Sequence, residues 1–299
     1  MFHHALVAVD LSPAGQVLLG CVPQLRGLGV KRVTLLHVAP VDYPVAGAMA
    51  HVKEYGEILN ELAGQMRDGG FEVTAEARHG SPPGEILRMA EEAGASLILL
   101  GSRSRNRLRE TFVGSVALKI LEASQVPVLF IRLELVGQGD DGAVAALCCP
   151  MDEALVLAVD FSPAGERALA VAAELSRHHG GRALTLVHAA KAGGVTSEMS
   201  GGRPGVVGDG GERLRKLADR LRAEGTGTVH TQLEEGDPVD AILKAVNRAG
   251  ESLLVMGTRG MGLLGRLALG SVSRGVLGKV QVPVLMVPED QASRSRGKS

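Results

Sequence analysis

At 299 residues, with 45% hydrophobic and 22% charged residues, the chain has globular composition and room for two domains of common size. A formal net charge of −1 and only 2% aromatics, with no tryptophan, argue against nucleic acid or an anionic membrane surface as the partner. The three cysteines, Cys21, Cys148 and Cys149, suit neither a disulfide framework nor a zinc site, and nothing reads as a secretory signal or a transmembrane run, so a cytoplasmic protein is expected.

The first strand is expected over Ala5–Val9, turning at Asp10-Leu11-Ser12-Pro13, where Ser12 suits a helix N-cap and Pro13 the first helical position. A helix to about Gly27 follows, then a strand over Arg32–Val38 and a loop over Ala39–Ala50. Next come an amphipathic helix near Val52–Arg67, a strand near Phe71–Arg78, and a helix from Gly80-Ser81-Pro82-Pro83 to about Glu92. Ser96–Leu100 reads as the fourth strand, Ser115–Ser124 as a helix, and Val126–Ile131 as the last strand. The stretch Leu133–Glu153, with Gly137-Gln138-Gly139-Asp140-Asp141-Gly142 at its centre, partly extends the last strand, and residues 137–153 read as a linker between domains 1–136 and 154–290. The Gly-rich loop Ala192–Gly211 is expected to be mobile, and the polar tail 291–299 to fray.

The second half repeats the first. Ala8-Val9-Asp10-Leu11-Ser12-Pro13-Ala14-Gly15 returns as Ala158-Val159-Asp160-Phe161-Ser162-Pro163-Ala164-Gly165, and Thr34-Leu35-Leu36-His37 as Thr185-Leu186-Val187-His188. Gly101-Ser102-Arg103 matches Gly257-Thr258-Arg259, Gly114-Ser115-Val116 matches Gly270-Ser271-Val272, and Val126-Pro127-Val128-Leu129 matches Val282-Pro283-Val284-Leu285. Short apolar strands alternating with helices imply, in each copy, a five-stranded, mostly parallel sheet covered on both faces, an α/β doubly wound fold.

The chemistry gathers after Ser252–Met256. Glycine, two residues, glycine, nine residues and then Gly270-Ser271 join a buried strand to a helix, which bares backbone amides at the positive end of a helix dipole. A plain strand–loop–helix connection with turn glycines is the alternative. Ligands of such sheets bind beyond the carboxyl ends of the strands, where strand order reverses. There Asp160 can meet a ribose hydroxyl, backbone beside Ala189 can read a base edge, and the glycine loop can hold phosphates, which together describe a nucleoside phosphate.

On the Val-Asp-x-Ser turn, the Leu-x-His after the second strand and the Gly-x2-Gly-x9-Gly-Ser pattern, the chain resembles the universal stress protein family in its tandem form, over nearly its whole length. The resemblance implies the five-stranded fold, binding of ATP or AMP, dimerisation through last strands, and a role in surviving stress. Carried over by position, it places Asp160 and Ala189 near base and ribose, Met256, Gly257, Arg259 and Gly260 along the loop, and Gly270, Ser271 and Val272 at the phosphates. The matching weaker set is Asp10, Val38, Gly101, Arg103, Gly114, Ser115 and Val116. Ser104 replaces the second glycine there, and its Cβ obstructs close approach, so the second copy is expected to hold the stronger site. The basic residues Arg103, Arg105, Arg107 and Arg109 suit either a loose anion contact or a solvated face.

Other signals are weaker. Gly260-Met261-Gly262-Leu263-Leu264-Gly265 has dinucleotide-fingerprint spacing but follows the wrong strand, and the terminal Gly297-Lys298-Ser299 lacks the rest of a P-loop. His37 and His188 fit a hydrogen-bonded structural role better than a ligand role, and His3-His4 and His178-His179 read as surface histidines rather than a metal site. Cys148-Cys149 reads as ordinary thiols rather than a redox sensor; the stripe Met261, Leu263, Leu264, Leu267, Leu269 suits either a partner or internal packing. The expected function is a regulatory nucleotide-binding protein, with any Mg²⁺ arriving on the phosphates. The copies are expected to form an intramolecular pseudo-dimer, leaving open a homodimer and an unidentified protein partner. The competing classes are a slow ATPase or phosphoryl-transfer enzyme, and an interaction module that binds no nucleotide.

Overall fold

The computed structural model describes residues 1–40, 45–103, 113–136, 143–146, 151, 153–178, 181–190, 209–250, 252–260 and 268–289. Its first repeat runs β1 (His4–Ala8), α1 (Pro13–Leu19), a 3₁₀ helix (Val22–Leu28), β2 (Arg32–Ala39), α2 (Val45–Asp68), β3 (Glu72–His79), α3 (Pro82–Glu92), β4 (Leu97–Arg103), α4 (Ser115–Ala123) and β5 (Val128–Val136). After a short strand, β6 (Ala143–Ala146), the second repeat runs β7 (Ala154–Ala158), α5 (Pro163–His178), β8 (Leu184–Ala190), α6 (Asp209–Ala223), β9 (Val229–Glu235), α7 (Pro238–Ala249), β10 (Ser252–Gly257), α8 (Ser271–Lys279) and β11 (Val284–Val287).

All described strands join one sheet in the order β3-β2-β1-β4-β5-β11-β10-β7-β8-β9, with β6 paired to β5. Each repeat is parallel throughout, and strand order reverses between β1 and β4 and again between β7 and β10. The repeats meet antiparallel through their last strands, Phe130 opposite Val284 and Val128 opposite Met286. Each face carries a core that runs unbroken through both repeats. On one, Leu25, Leu28 and Leu35 share a cluster with Leu169, Leu175 and Leu186; on the other, Ile120 and Phe130 share one with Val276 and Met286. Shared apolar burial of this kind, worth about 25 cal/mol per Å², makes two sequence copies one packed body.

Several expected boundaries move for local reasons. The first helix ends at Leu19 and restarts as a 3₁₀ helix with Pro23 in its first turn, because proline brings no amide to an α-helical ladder. Helix α2 begins at Val45, inside the expected loop, where Ala46, Ala48, Met49 and Ala50 are good helix formers. Strand β4 runs on to Arg103; β5 runs on to Val136, the extension expected of the stretch from Leu133, and the expected linker also contains β6, which pairs with that extension. Helix α6 starts at Asp209, so Gly210 and Gly211 belong to its first turn rather than to a loop. His4 is not a surface histidine: it is 3% exposed, with Nε2 2.9 Å from Thr34 Oγ1. The Gly-rich stretch 191–208, the tail, Cys148-Cys149, Ser104, Arg105, Arg107, Arg109 and the stripe from Met261 to Leu267 lie outside the described residues. Among the described residues no helix is long and apolar enough to cross a membrane.

Candidate functional site

The site grows from the turn after β7. Asp160 Oδ1 accepts from the Ser162 amide at 3.0 Å and from Ser162 Oγ at 2.7 Å, while Ser162 Oγ itself accepts from the Gly165 amide at 3.0 Å as N-cap of α5. Closing this turn forces Phe161 to φ +57, a left-handed conformation that costs a side chain about 1 kcal/mol or more. Leu11, its counterpart, sits at φ +51, so both repeats keep the same strained turn. Gly165 leaves room for that carboxylate: a Cβ there would lie 2.4 Å from Asp160 Oδ1 and force the side chain to shift. The carboxylate therefore rests against the first turn of α5, where the helix dipole favours negative charge.

The glycine loop closes over this turn. A Cβ at Gly257 would stand 3.0 Å from the Ala164 carbonyl carbon and its Cβ, and one at Gly260 would stand 2.9 Å from Asp160 Oδ2. Oδ1 is held by Ser162, so the other carboxylate oxygen faces the bare Cα of Gly260. Thr258 donates its amide to Val287 O and accepts from the Gly270 amide, both at 3.0 Å, and Ser273 Oγ donates to Gly257 O at 3.0 Å. These bonds set the N-terminus of α8 beside the loop. Gly270 is its N-cap and offers no side chain, so the amides of Ser271, Val272 and Ser273 have no acceptor within the helix.

The expected residues divide. Asp160, Gly257, Gly260, Gly270, Ser271 and Val272 gather at this one rim, and Ala189, half-buried near the end of β8, stands at the same carboxyl edge. Met256 is 3% exposed and belongs to the core, so only its main chain borders the loop. Arg259 lines the loop with its main chain. Its carbonyl lies 3.3 Å from Ser162 Oγ, while its guanidinium leaves the rim and donates to Glu122 O at 3.2 Å. His188 Nδ1 lies 2.7 Å from Val159 O and His37 Nδ1 2.9 Å from Val9 O; a carbonyl only accepts, so each Nδ1 carries its proton and each ring pins two strand ends together.

Ser162, Phe161, Gly165, Ser273 and Arg213 were not foreseen as parts of the site. Arg213 lies 3.9 Å over the Phe161 ring, which in turn sits 5.0 Å from His188. The recurrence of Asp-x-Ser-Pro-Ala-Gly in both copies was the signal for the first and third; nothing local announced Ser273, whose counterpart is Ala117.

In the first repeat Asp10 is exposed, Val38 is buried, and Ser115 and Val116 are exposed at the start of α4. The turn recurs, with Ser12 Oγ donating to Asp10 Oδ1 at 2.5 Å. Its loop is wired otherwise: the Gly114 amide donates to Ser102 Oγ at 3.0 Å, and a Cβ at Gly101 would meet Leu133 Cδ1 at 2.8 Å. The main chain of Arg103 is part of β4, opposite Leu133.

A profile described as the universal stress protein family matches residues 1–132 and again 151–288. The chain is 37% identical over 142 residues to a universal stress protein of Thermus aquaticus, covering 46% of this chain and 99% of that one. It is 26% identical over 307 residues to a universal stress protein of Mycolicibacterium smegmatis, covering 94% of this chain and 96% of the relative. Among solved structures, a universal stress protein from Archaeoglobus fulgidus superposes with a TM-score of 0.75 at 24% identity, covering 96% of this chain and 98% of the other, which speaks to the fold.

Proposed function

The chain belongs to the universal stress protein family, whose role is in the stress response, and from that premise we propose that it binds an adenine nucleotide, ATP or AMP, at the rim of its second repeat. The observation that carries the reading is the cradle itself: Gly260 presents a bare Cα to Asp160 Oδ2 beside an α8 N-terminus with no side-chain cap. Such a rim fits a nucleotide. Asp160 would accept from ribose hydroxyls, main chain at Ala189 would meet the base, and amides at Gly260, Ser271 and Val272 would take the phosphates. Any Mg²⁺ would be held chiefly by those phosphates.

The nucleotide is read as a regulatory ligand rather than a substrate, with hydrolysis slow or absent and the repeats acting together as a pseudo-dimer in the cytoplasm. Antiparallel pairing of β5 with β11 supports that last element. Small molecules released from purified protein by denaturation should include ATP or AMP by mass. Added nucleotide should raise the melting temperature of wild type but not of Gly260→Leu, whose side chain would fill the cradle. An equal rise in the variant would move the site elsewhere, and no rise in either would contradict the reading.

A further inference from the structure

Arg259 occupies the middle of the glycine loop, between Thr258 and Gly260, yet its guanidinium reaches into the other repeat. Nη2 donates to Glu122 O at 3.2 Å, and Nη1 lies 4.0 Å from Glu289 Oε2. Glu122 is the penultimate residue of α4, so its carbonyl is one of the last four, which lack a partner in the helix and carry the negative end of its dipole. Arg274 Nη2 stands 3.4 Å from Glu122 Oε1, so the same residue draws two arginines of the second repeat. In the reverse direction Arg132 donates to the carbonyl of Gly278, the counterpart of Glu122. Each repeat thus sends an arginine to the end of the other's last helix, and the one from the second repeat begins at the candidate phosphate loop.

We propose that Arg259 couples the second-repeat site to helix α4 of the first repeat, its guanidinium having two competing destinations: the C-terminal end of α4 and the phosphates of a bound nucleotide. The inference rests on the nucleotide reading above and adds its regulation. Of the contacts that hold Arg259, the ion pair with Glu289 is stretched to 4.0 Å and the bond to Glu122 O, at 3.2 Å, is to an uncharged carbonyl. Phosphate oxygens carry more charge and match the guanidinium fork. Nucleotide draws the side chain from Glu122 and Glu289 and loosens the end of α4. By linkage, whatever favours the α4 contact weakens nucleotide binding.

The test combines ATP titration of the full chain with amide hydrogen exchange at residues 119–124. Wild type should bind ATP and exchange faster at 119–124 when it does. Arg259→Gln should bind about tenfold more weakly, and Glu289→Gln about threefold more tightly, within the range of ordinary site couplings. Without nucleotide, Arg259→Gln should already exchange faster at 119–124, and ATP should add nothing further there. ATP binding to wild type with unchanged exchange at 119–124, or undiminished binding by Arg259→Gln, overturns the coupling and leaves the nucleotide site standing. Failure of wild type to bind ATP overturns both.

Discussion

The fourth strands of the two repeats carry the same motif and end in different ways. In the first repeat β4 stays in the ladder to Arg103, opposite Leu133, and β5 continues to Val136, where it takes on β6. In the second, β10 ends at Gly257 and β11 at Val287, because the position matching Arg132 is Pro288. Proline lacks an amide and fixes φ, so it ends a strand. The consequence falls on the loop. Thr258 O is left to accept the Gly270 amide, whereas in the first repeat the Gly114 amide turns to the side chain of Ser102. How the main chain closes at the two ends of each glycine loop thus depends on the neighbouring strand as much as on the glycines.

The largest expected effect breaks one site and spares the other. At a nucleotide concentration of about 100 times Kd, binding adds about 2.7 kcal/mol of stability, and Gly260→Leu should remove all of it while Asp10→Ala removes none. Loss on Asp10→Ala instead would transfer the site to the first repeat. Next, Gly165→Ala places a Cβ 2.4 Å from Asp160 Oδ1, and Gly15→Ala one 2.8 Å from Asp10 Oδ1. Chemical denaturation should show both destabilised by about 1–3 kcal/mol, Gly165→Ala the more. Equal costs would mean that the two turns are equally tight. Third, Ser162→Ala removes an N-cap bond of 3.0 Å, and Ser12→Ala one of 3.3 Å. About 1 kcal/mol is expected for the first and less for the second, read from denaturation midpoints.

The smallest effect concerns pH. Burial, and then the neighbouring Arg32 charge, hold His4 below the ordinary histidine value of 6.5, while its counterpart is Ala154. The folded state thus binds this proton less readily than the unfolded chain. Its contribution is fully present above pH 6.5 and is lost as pH falls toward the folded value. Melting temperature should drop less between pH 7 and pH 5 in His4→Gln than in wild type; an identical drop would assign the acid sensitivity to other groups.

Much of this was legible in the chain. The internal repeat, the parallel layout and the cluster of Asp160, Gly257, Gly260 and Gly270 follow from periodicity and glycine spacing, because those patterns answer to local sterics and burial. Arg259 and Met256 show the limit. Spacing puts both beside the loop, but the direction of a side chain depends on what lies across the sheet: Glu122 from the other repeat in one case, a closed core in the other. The extension of β5 into the linker was legible, but the pairing of that extension with β6 depends on a partner that no single window of residues reveals.

The most direct test is a calorimetric titration of the full chain with ATP, repeated on Gly260→Leu. One tight site per chain in wild type, absent from the variant, is the predicted result. No binding by wild type, or two equal sites that survive the substitution, would contradict it.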